Sequence, residues 1–391
     1  MRGLVLGFRH SCFPQSQSAF IRLSVVWRVG WRIAIGALLL AWIFHSIFLN
    51  EGKLAAQQEL GLSWDSLSRA EQWRIGWTSG PAKLWTTLCL VHPGALFLSV
   101  LLMGLTIVLG VWRWRLVLRV QGLELSLGRS LEISFIAHFF NSFLLGSTGG
   151  DLMKAYYAAR ETHHKKTEAV VTVFVDRLIG LWAMLLFASI LVLPNWSLLV
   201  SHPRFRSMAG LILAMTIACS GVVGVAFWGG VSRAWSGARH WLRRLPKGEW
   251  LERSLDSCRR FGQERFFIGR TLGISMLLNT VCVLQLLVLS WGLHLKAPAL
   301  ALFAIVPMII CISALPITPS GLGVRENLFV LMLAAPAFGA PETAALSLSL
   351  LAYAGSLFWS LVGGVVYLTL RERHHLAEVA GDKPLPETSQ R

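Results

Sequence analysis

Long apolar stretches separated by polar segments dominate the pattern of side chains along this chain. Residues 208–229 and 271–293 contain no Asp, Glu, Lys or Arg. At about 1.5 Å per residue, helices of this length cross a hydrocarbon core of about 30 Å. The other candidates are residues 33–49, 95–111, 178–193 and 343–370. The pattern predicts six spanning helices, and the last is long enough that it must tilt or protrude.

Composition agrees with this pattern. Hydrophobic residues make up 54% of the 391 residues and charged residues only 14%, against about a quarter charged in a typical soluble domain. A water-soluble fold could not bury so much apolar surface. We therefore expect an all-α, polytopic integral membrane helix bundle with six to eight spans.

The net charge of +16 would suggest nucleic-acid binding in a soluble protein. Its distribution gives a different explanation, because residues 1–32 hold five Arg and no acid, and residues 230–270 hold ten basic residues against four acids. Such segments face the cytoplasm in membrane proteins. We expect a basic cytoplasmic N-terminal segment (1–32), a transmembrane domain (33–370) with a cytoplasmic 230–270 loop, and a polar cytoplasmic tail (371–391). The location would be a bacterial-type cytoplasmic membrane, and no nucleic-acid partner is expected.

Two apolar stretches do not fit a plain span. Residues 130–160 have flanks that should both be cytoplasmic, whereas residues 299–335 have flanks that should both be outside. Each stretch would then be a re-entrant helical hairpin, one from each side of the membrane, in a pattern that suggests an inverted repeat. The alternative is that both are interfacial turns between full spans, giving eight or more crossings.

Glycine-rich breaks lie in both stretches. One helix is expected to start after Gly149 and Gly150, with Asp151 near its N-terminus, and another at Val324, after a segment that contains Gly321. Helix N-termini at membrane depth expose positive dipole ends and must face protein or a water-filled cavity. An anionic head group would suit such a site.

Charged residues in apolar surroundings need a partner or a cavity. Asp176 and Arg177 interrupt one apolar segment, and Arg325 and Glu326 follow the second glycine break. Adjacent residues on a helix point about 100° apart, so neither pair is expected to neutralise itself fully. We therefore expect pairing between the two groups, such as Asp176 with Arg325. The alternative places Asp176 and Arg177 at the cytoplasmic interface, with Arg177 reaching water.

Several short motifs occur in a fixed order in this hydrophobic setting. They are Arg113-Trp-Arg115, Gly149-Gly-Asp151, Lys154, Ala169, Asp176-Arg177-Leu-Ile-Gly180 and residues 316–326. With them, most of residues 95–370 resembles the flippase-like transmembrane domain of lysylphosphatidylglycerol synthases and their stand-alone relatives. One departure is Leu144-Leu145, where the family usually has Leu-Pro before its Gly-Gly-Asp. Only the polar residues 371–391 follow the last predicted span, so we expect a stand-alone member without the aminoacyltransferase domain.

The resemblance implies movement of a phospholipid or lipid-linked head group between leaflets, aminoacylated and glycosylated forms included. The two half-helix N-termini could hold the lipid phosphate with help from cationic side chains, while the carboxylates could meet a cationic head group. The candidate substrate-binding residues are Gly149, Gly150, Asp151, Lys154, Asp176, Arg177, Ser320, Gly321, Gly323, Arg325 and Glu326. Expected partners are membrane lipids with anionic phosphate head groups, and a separate lipid-modifying enzyme.

Two other function classes stay open. The hairpin geometry would also allow a small-solute or ion transporter, and membrane transferases acting on lipid-linked substrates likewise use carboxylates and basic residues. The sequence has no H-E-x-x-H, P-loop or G-x-G-x-x-G motif, so we expect no enzyme. Six scattered Cys without a C-x-x-C pair give no indication of a metal site, and no cofactor is expected.

Overall fold

The computed structural model describes most of the chain as a bundle of α-helices. The described residues are 15–58, 62–143, 147–162, 165–194, 196, 203–228, 258–295, 298–315, 318, 321–335 and 338–381. No strand occurs among them. Most of the predicted basic 230–270 loop, residues 1–14 of the N-terminal segment, and Leu144-Leu145 lie outside these residues.

The helices, in chain order, differ widely in length. They are α1 (Gln15–Gln58), α2 (Arg69–Cys89), α3 (Pro93–Val120), α4 (Leu127–Phe143), α5 (Ser147–Glu161), α6 (Lys166–Val192), α7 (Pro203–Trp228), α8 (Phe267–Gly292), α9 (Ala299–Ser313), α10 (Val324–Leu333) and α11 (Glu342–Gly381).

Five of these helices are long and apolar enough to cross a membrane. The candidate spans are Pro93–Val120, Lys166–Val192, Phe205–Phe227, Phe267–Gly292 and Glu342–Thr369. They correspond to five of the six predicted spans, and the prediction of an all-α membrane helix bundle is confirmed. The sixth predicted span, residues 33–49, is helical within α1 but is not one of these five.

Two apolar cores lie at opposite ends of the long helices. The Trp114 core contains Trp114, Ile136, Tyr157, Val171 and Phe227, and the Ile305 core contains Ile305, Leu328, Leu346, Val192 and Phe205. Helix α6 runs from the first core to the second, since Val171 precedes Val192. Helix α7 runs in the opposite direction, because Phe205 near its start lies in the Ile305 core and Phe227 near its end lies in the Trp114 core. Consecutive long helices are therefore antiparallel.

The two predicted hairpins are pairs of short helices packed at different ends of this bundle. Helices α4 and α5 pack against each other and contribute Ile136 and Tyr157 to the Trp114 core. Helices α9 and α10 also contact each other and contribute Ile305 and Leu328 to the Ile305 core. Both pairs contact a spanning helix, α5 and α9 packing on α6. The two hairpins therefore pack in different cores of the bundle.

Helix α10 begins at Val324, as predicted from its glycine-rich approach. Gly321 and Gly323 have φ values of 70° and 80°, a left-handed conformation that residues with a Cβ avoid. The N–H group of Gly323 donates to Glu326 Oε2 at 2.6 Å, which satisfies one of the free N–H groups at the start of the helix.

Helix α5 begins earlier than predicted. It starts at Ser147, so Gly149 and Gly150 lie in its first turn and do not precede it. Gly150 serves close packing: its N–H donates to Asn141 Oδ1 at 2.9 Å, and a Cβ there would lie 2.0 Å from the Ala137 carbonyl oxygen. The prediction was wrong because glycine serves a break and a close helix contact equally well.

Candidate functional site

Asp176 is the centre of a buried charge network. Asp176 lies on α6 and is only 7% exposed. Arg113 Nε, from α3, donates to Asp176 Oδ1 at 2.8 Å, and Lys154 Nζ, from α5, donates to Asp176 Oδ2 at 3.2 Å. The expected pairing of Asp176 with Arg325 was wrong, because two cations much closer in the fold already occupy both carboxylate oxygens.

Further contacts fix the two cations in place. The Arg113 guanidinium also donates from Nη1 to Ser275 Oγ of α8 at 3.1 Å. The Lys154 ammonium lies 4.2 Å from the centre of the Trp114 ring, a distance at which a cation is attracted to the ring face. The network thus ties together four helices, α3, α5, α6 and α8. Charges buried in this way are tolerated only when they are paired and hydrogen-bonded.

Gly180 provides the space for this arrangement. It lies one turn after Asp176 on α6, and a Cβ there would lie 2.9 Å from the Arg113 guanidinium. Since helix residues four apart share a face, the absence of a side chain at Gly180 lets Arg113 reach across α6 to Asp176.

Arg177 and Asp151 form a second, looser pair beside the first. Arg177 Nε lies 3.7 Å from Asp151 Oδ2, and their side chains are 50% and 31% exposed. Arg177 is thus half exposed whereas Asp176 is buried. A pair this long and this exposed contributes little to stability, so Arg177 can exchange partners easily.

These five side chains line one cavity, here called the charged cavity, of about 410 Å³. It is partly open to the outside of the protein and is bounded by α3, α4, α5, α6 and α8. Three cationic groups against two carboxylates leave an excess of one positive charge on its wall. Its charged residues are Arg113, Asp151, Lys154, Asp176 and Arg177.

Arg325 and Glu326 form a separate group on α10. Glu326 is fully buried, and its Oε1 accepts hydrogen bonds from Arg325 Nε at 3.2 Å and from Ser349 Oγ at 3.3 Å. The expectation that these neighbours could not neutralise each other was wrong. Side-chain length explains the error: Arg325 folds back along the helix, and its guanidinium also lies 4.8 Å from the Tyr353 ring.

Arg325 lines a second cavity, here called the Arg325 cavity, of about 290 Å³. Its wall includes Gln285, Ser313, Thr318 and Gly321. The candidate residues predicted for one site are therefore divided between two cavities. Of the other candidates, Gly150 packs against α4, Gly149 is buried in the first turn of α5, Gly323 and Glu326 form the start of α10, and Ser320 lies outside the described residues.

The two cavities are neighbours. Ala314 lines both of them, and His138 and Ser356 contact each other across the partition. His138 Nε2, on the wall of the charged cavity, lies 3.2 Å from the carbonyl oxygen of Ser356, which lines the Arg325 cavity. His138 and Ala314 are thus part of the partition between them.

Sequence reasoning missed Arg113 and His138 as site residues. Arg113 belongs to the first motif of the resemblance but was not among the predicted substrate-binding residues. Gly180, which follows Asp176 by one helical turn, could have indicated that a large side chain lies across α6 at this point. Nothing in the sequence distinguished His138 from other His near apolar segments. Among the described residues, no group of three or more His, Cys, Asp or Glu could hold a metal ion.

Comparison with known proteins agrees with the resemblance seen in the motifs. A family model described as the lysylphosphatidylglycerol synthase TM region matches residues 72–364. The chain belongs to that family. Both cavities lie within the part of this protein that matches the lysylphosphatidylglycerol synthase TM region. A similar protein is a UPF0104 membrane protein of Methanothermobacter thermautotrophicus, 25% identical over 321 residues, which cover 75% of this chain and 89% of the relative.

Proposed function

We propose that this protein moves a phospholipid or a lipid-linked head group between membrane leaflets, and that the charged cavity holds the anionic phosphate. The observation that carries the proposal is the excess positive charge on the wall of a partly open cavity inside a bundle of spanning helices. A phosphodiester carries one negative charge, which matches that excess. Ionised groups at membrane depth are retained mainly where they serve a substrate pathway.

The contacts within the cavity suggest how the phosphate is held. Arg113 is already oriented by Asp176 and Ser275, so it presents an ordered hydrogen-bond donor at little entropic cost. Arg177 is held only by its long contact to Asp151 and can turn to the phosphate. Asp151 and Asp176 would then face the amino group of an aminoacylated head group. The acyl chains would stay in the bilayer, which the open side of the cavity allows.

The proposal includes an orientation in the membrane. The α4–α5 hairpin would enter the bilayer from the cytoplasmic side and the α9–α10 hairpin from the outside, each as a re-entrant element. Support comes from their packing at opposite ends of α6 and from the basic segment that follows Trp112, next to α4. The positive-inside rule then puts both chain termini in the cytoplasm of a bacterial-type cell.

The proposal makes the protein a transporter and not an enzyme. Any change to the head group, such as aminoacylation, would be made by a separate lipid-modifying enzyme. No cofactor or metal is required, because lipid movement needs a polar path for the head group and no bond is made or broken.

Mass spectrometry of lipids that co-purify with the protein tests this function. We expect an anionic or aminoacylated phospholipid near one molecule per protein chain, and its loss in the Arg177→Gln variant, which leaves the Arg113, Lys154 and Asp176 contacts intact. The matched control is Lys83→Gln on α2, an exposed lysine that lines neither cavity. A protein that retains no lipid, while moving a small solute or an ion across vesicles, would contradict the proposal and favour a solute carrier.

A further inference from the structure

The Arg325 cavity differs in chemistry from the charged cavity. Its single charged residue, Arg325, is compensated by the buried Glu326 carboxylate. The wall therefore has no net charge and offers little attraction to a second anion. What remains exposed to an occupant is a set of neutral hydrogen-bonding groups from α8, α9 and the segment before α10.

Two hydroxyl groups on this wall are buried without partners. Ser313 Oγ and Thr318 Oγ1 form no hydrogen bond among the described residues, and both residues line the cavity. Thr318 is only 5% exposed. Buried hydroxyls normally have a partner, because leaving one unsatisfied costs about 1–3 kcal/mol. Two such groups facing one cavity indicate an occupant that supplies hydrogen bonds.

A third neutral group completes the wall. Gln285 of α8 is 3% exposed and also lines the cavity. An amide both donates and accepts, and so do hydroxyls. A set of two hydroxyls and one amide matches the hydroxyl groups of glycerol or of a sugar, each of which also donates and accepts. The volume of about 290 Å³ would accommodate such a group together with water, at about 30 Å³ for each water molecule.

We propose that the Arg325 cavity is a binding site for the uncharged, hydroxyl-bearing part of a lipid head group, a glycerol or a sugar. Ser313, Thr318 and Gln285 supply the hydrogen bonds. This inference rests on the proposed function, since it gives the substrate class: a lipid that carries both a phosphate and hydroxyl groups. The phosphate occupies the charged cavity and the polyol occupies the Arg325 cavity.

A pair of probes that differ only in hydroxyl groups tests the site. Dihexanoyl phosphatidylglycerol and dihexanoyl phosphatidylethanol carry the same phosphodiester charge, but the second has no free hydroxyl. Binding of each is measured by native mass spectrometry on the purified protein, which does not depend on transport. We expect the wild-type protein to bind the glycerol lipid about tenfold or more tightly, given about threefold to tenfold for each hydrogen bond.

The variants remove the unpartnered hydroxyls without removing any hydrogen bond within the protein. Thr318→Val and Ser313→Ala should each reduce the preference for the glycerol lipid about threefold, and the double variant should nearly abolish it. Ser290→Ala and Ser360→Ala are matched controls, because these serines are also buried and unpartnered but line neither cavity. Both controls should keep the wild-type preference.

The outcomes separate this inference from the proposed function. Equal binding of both probes by the wild-type protein, or a preference that survives in the double variant, would overturn the polyol site. Tight binding of both probes without any protein-dependent movement of lipid in vesicles would instead overturn the proposed function. A preference for the glycerol lipid that falls in the two cavity variants and not in the two controls supports the site.

Discussion

Arg113 and Asp176 are 63 positions apart in the chain, yet Arg113 Nε lies 2.8 Å from Asp176 Oδ1. The pair joins α3 to α6, and Lys154 adds α5 through the other carboxylate oxygen. All three side chains are largely buried. The stability of this part of the bundle and the charge of its cavity therefore depend on the same carboxylate.

Replacement of Asp176 by Asn should destabilise the protein. Two cations would then share a buried site without their carboxylate, and loss of one partner from a buried ion pair costs about 3–5 kcal/mol. We expect a clearly lower midpoint in thermal denaturation in detergent. Glu161→Gln serves as the control, because its pair with Arg129 is more exposed and should contribute at most about 1 kcal/mol. Equal midpoints for the two variants would show that Asp176 does not hold the helices together.

Gly150→Ala should separate the roles of glycine as a packing residue and as a helix breaker. The added Cβ would lie 2.0 Å from the backbone oxygen of Ala137, so α4 and α5 would have to move apart at a cost of about 1–3 kcal/mol. The control, Gly210→Ala on α7, meets no atom within 4 Å and should stabilise by up to about 1 kcal/mol. Thermal denaturation measures both. A stabilised Gly150→Ala variant would contradict the close packing.

Hydropathy was sufficient to predict all five candidate spans, because a long uncharged stretch has few other stable places in a cell, but it also predicted a sixth at residues 33–49. The start of α10 at Val324 was predictable for a similar local reason, since Gly321 and Gly323 supply the left-handed backbone just before it. Both predictions depend on interactions within a few residues.

The charge pairing could not be predicted in the same way. Which cation reaches Asp176 depends on how α3, α5 and α6 pack, and Gly180 indicates only that a large side chain lies against this face of α6, without identifying Arg113. The separation of the candidate residues into two cavities has the same origin, because it follows from the packing of the two hairpins at opposite ends of α6. The start of α5 was predicted wrongly at Gly149 and Gly150, since a glycine that breaks a helix and a glycine that allows close helix packing look alike in sequence.

His138→Ala should make movement of lipid faster. The imidazole closes part of the partition between the cavities through its contact to the Ser356 carbonyl oxygen, and its removal would leave a wider path between them. We expect a rate of fluorescent phospholipid movement severalfold above the wild-type rate in reconstituted vesicles. Ser356→Ala keeps the backbone oxygen and loses only the longer contact of Ser356 Oγ to His138 Nε2 at 3.4 Å, so it should raise the rate less than His138→Ala. A slower or unchanged His138→Ala variant would show that this contact is not a barrier.

Arg177→Gln tests the role of the charged cavity with the least disturbance to folding. Arg177 is half exposed and holds only a 3.7 Å contact to Asp151, so its loss should change the thermal midpoint little. Arg160→Gln on α5 is the matched control, since Arg160 is exposed and lines neither cavity.

The most direct measurement is the rate at which vesicles containing these proteins move a fluorescent anionic phospholipid between leaflets, followed with a membrane-impermeant quencher. We predict rapid movement with the wild-type protein and Arg160→Gln, and a rate about tenfold lower with Arg177→Gln, since a hydrogen bond to a charged group contributes about 1.5–3 kcal/mol. Equal rates for all three proteins and for protein-free vesicles would contradict the assignment of the charged cavity as a lipid phosphate site.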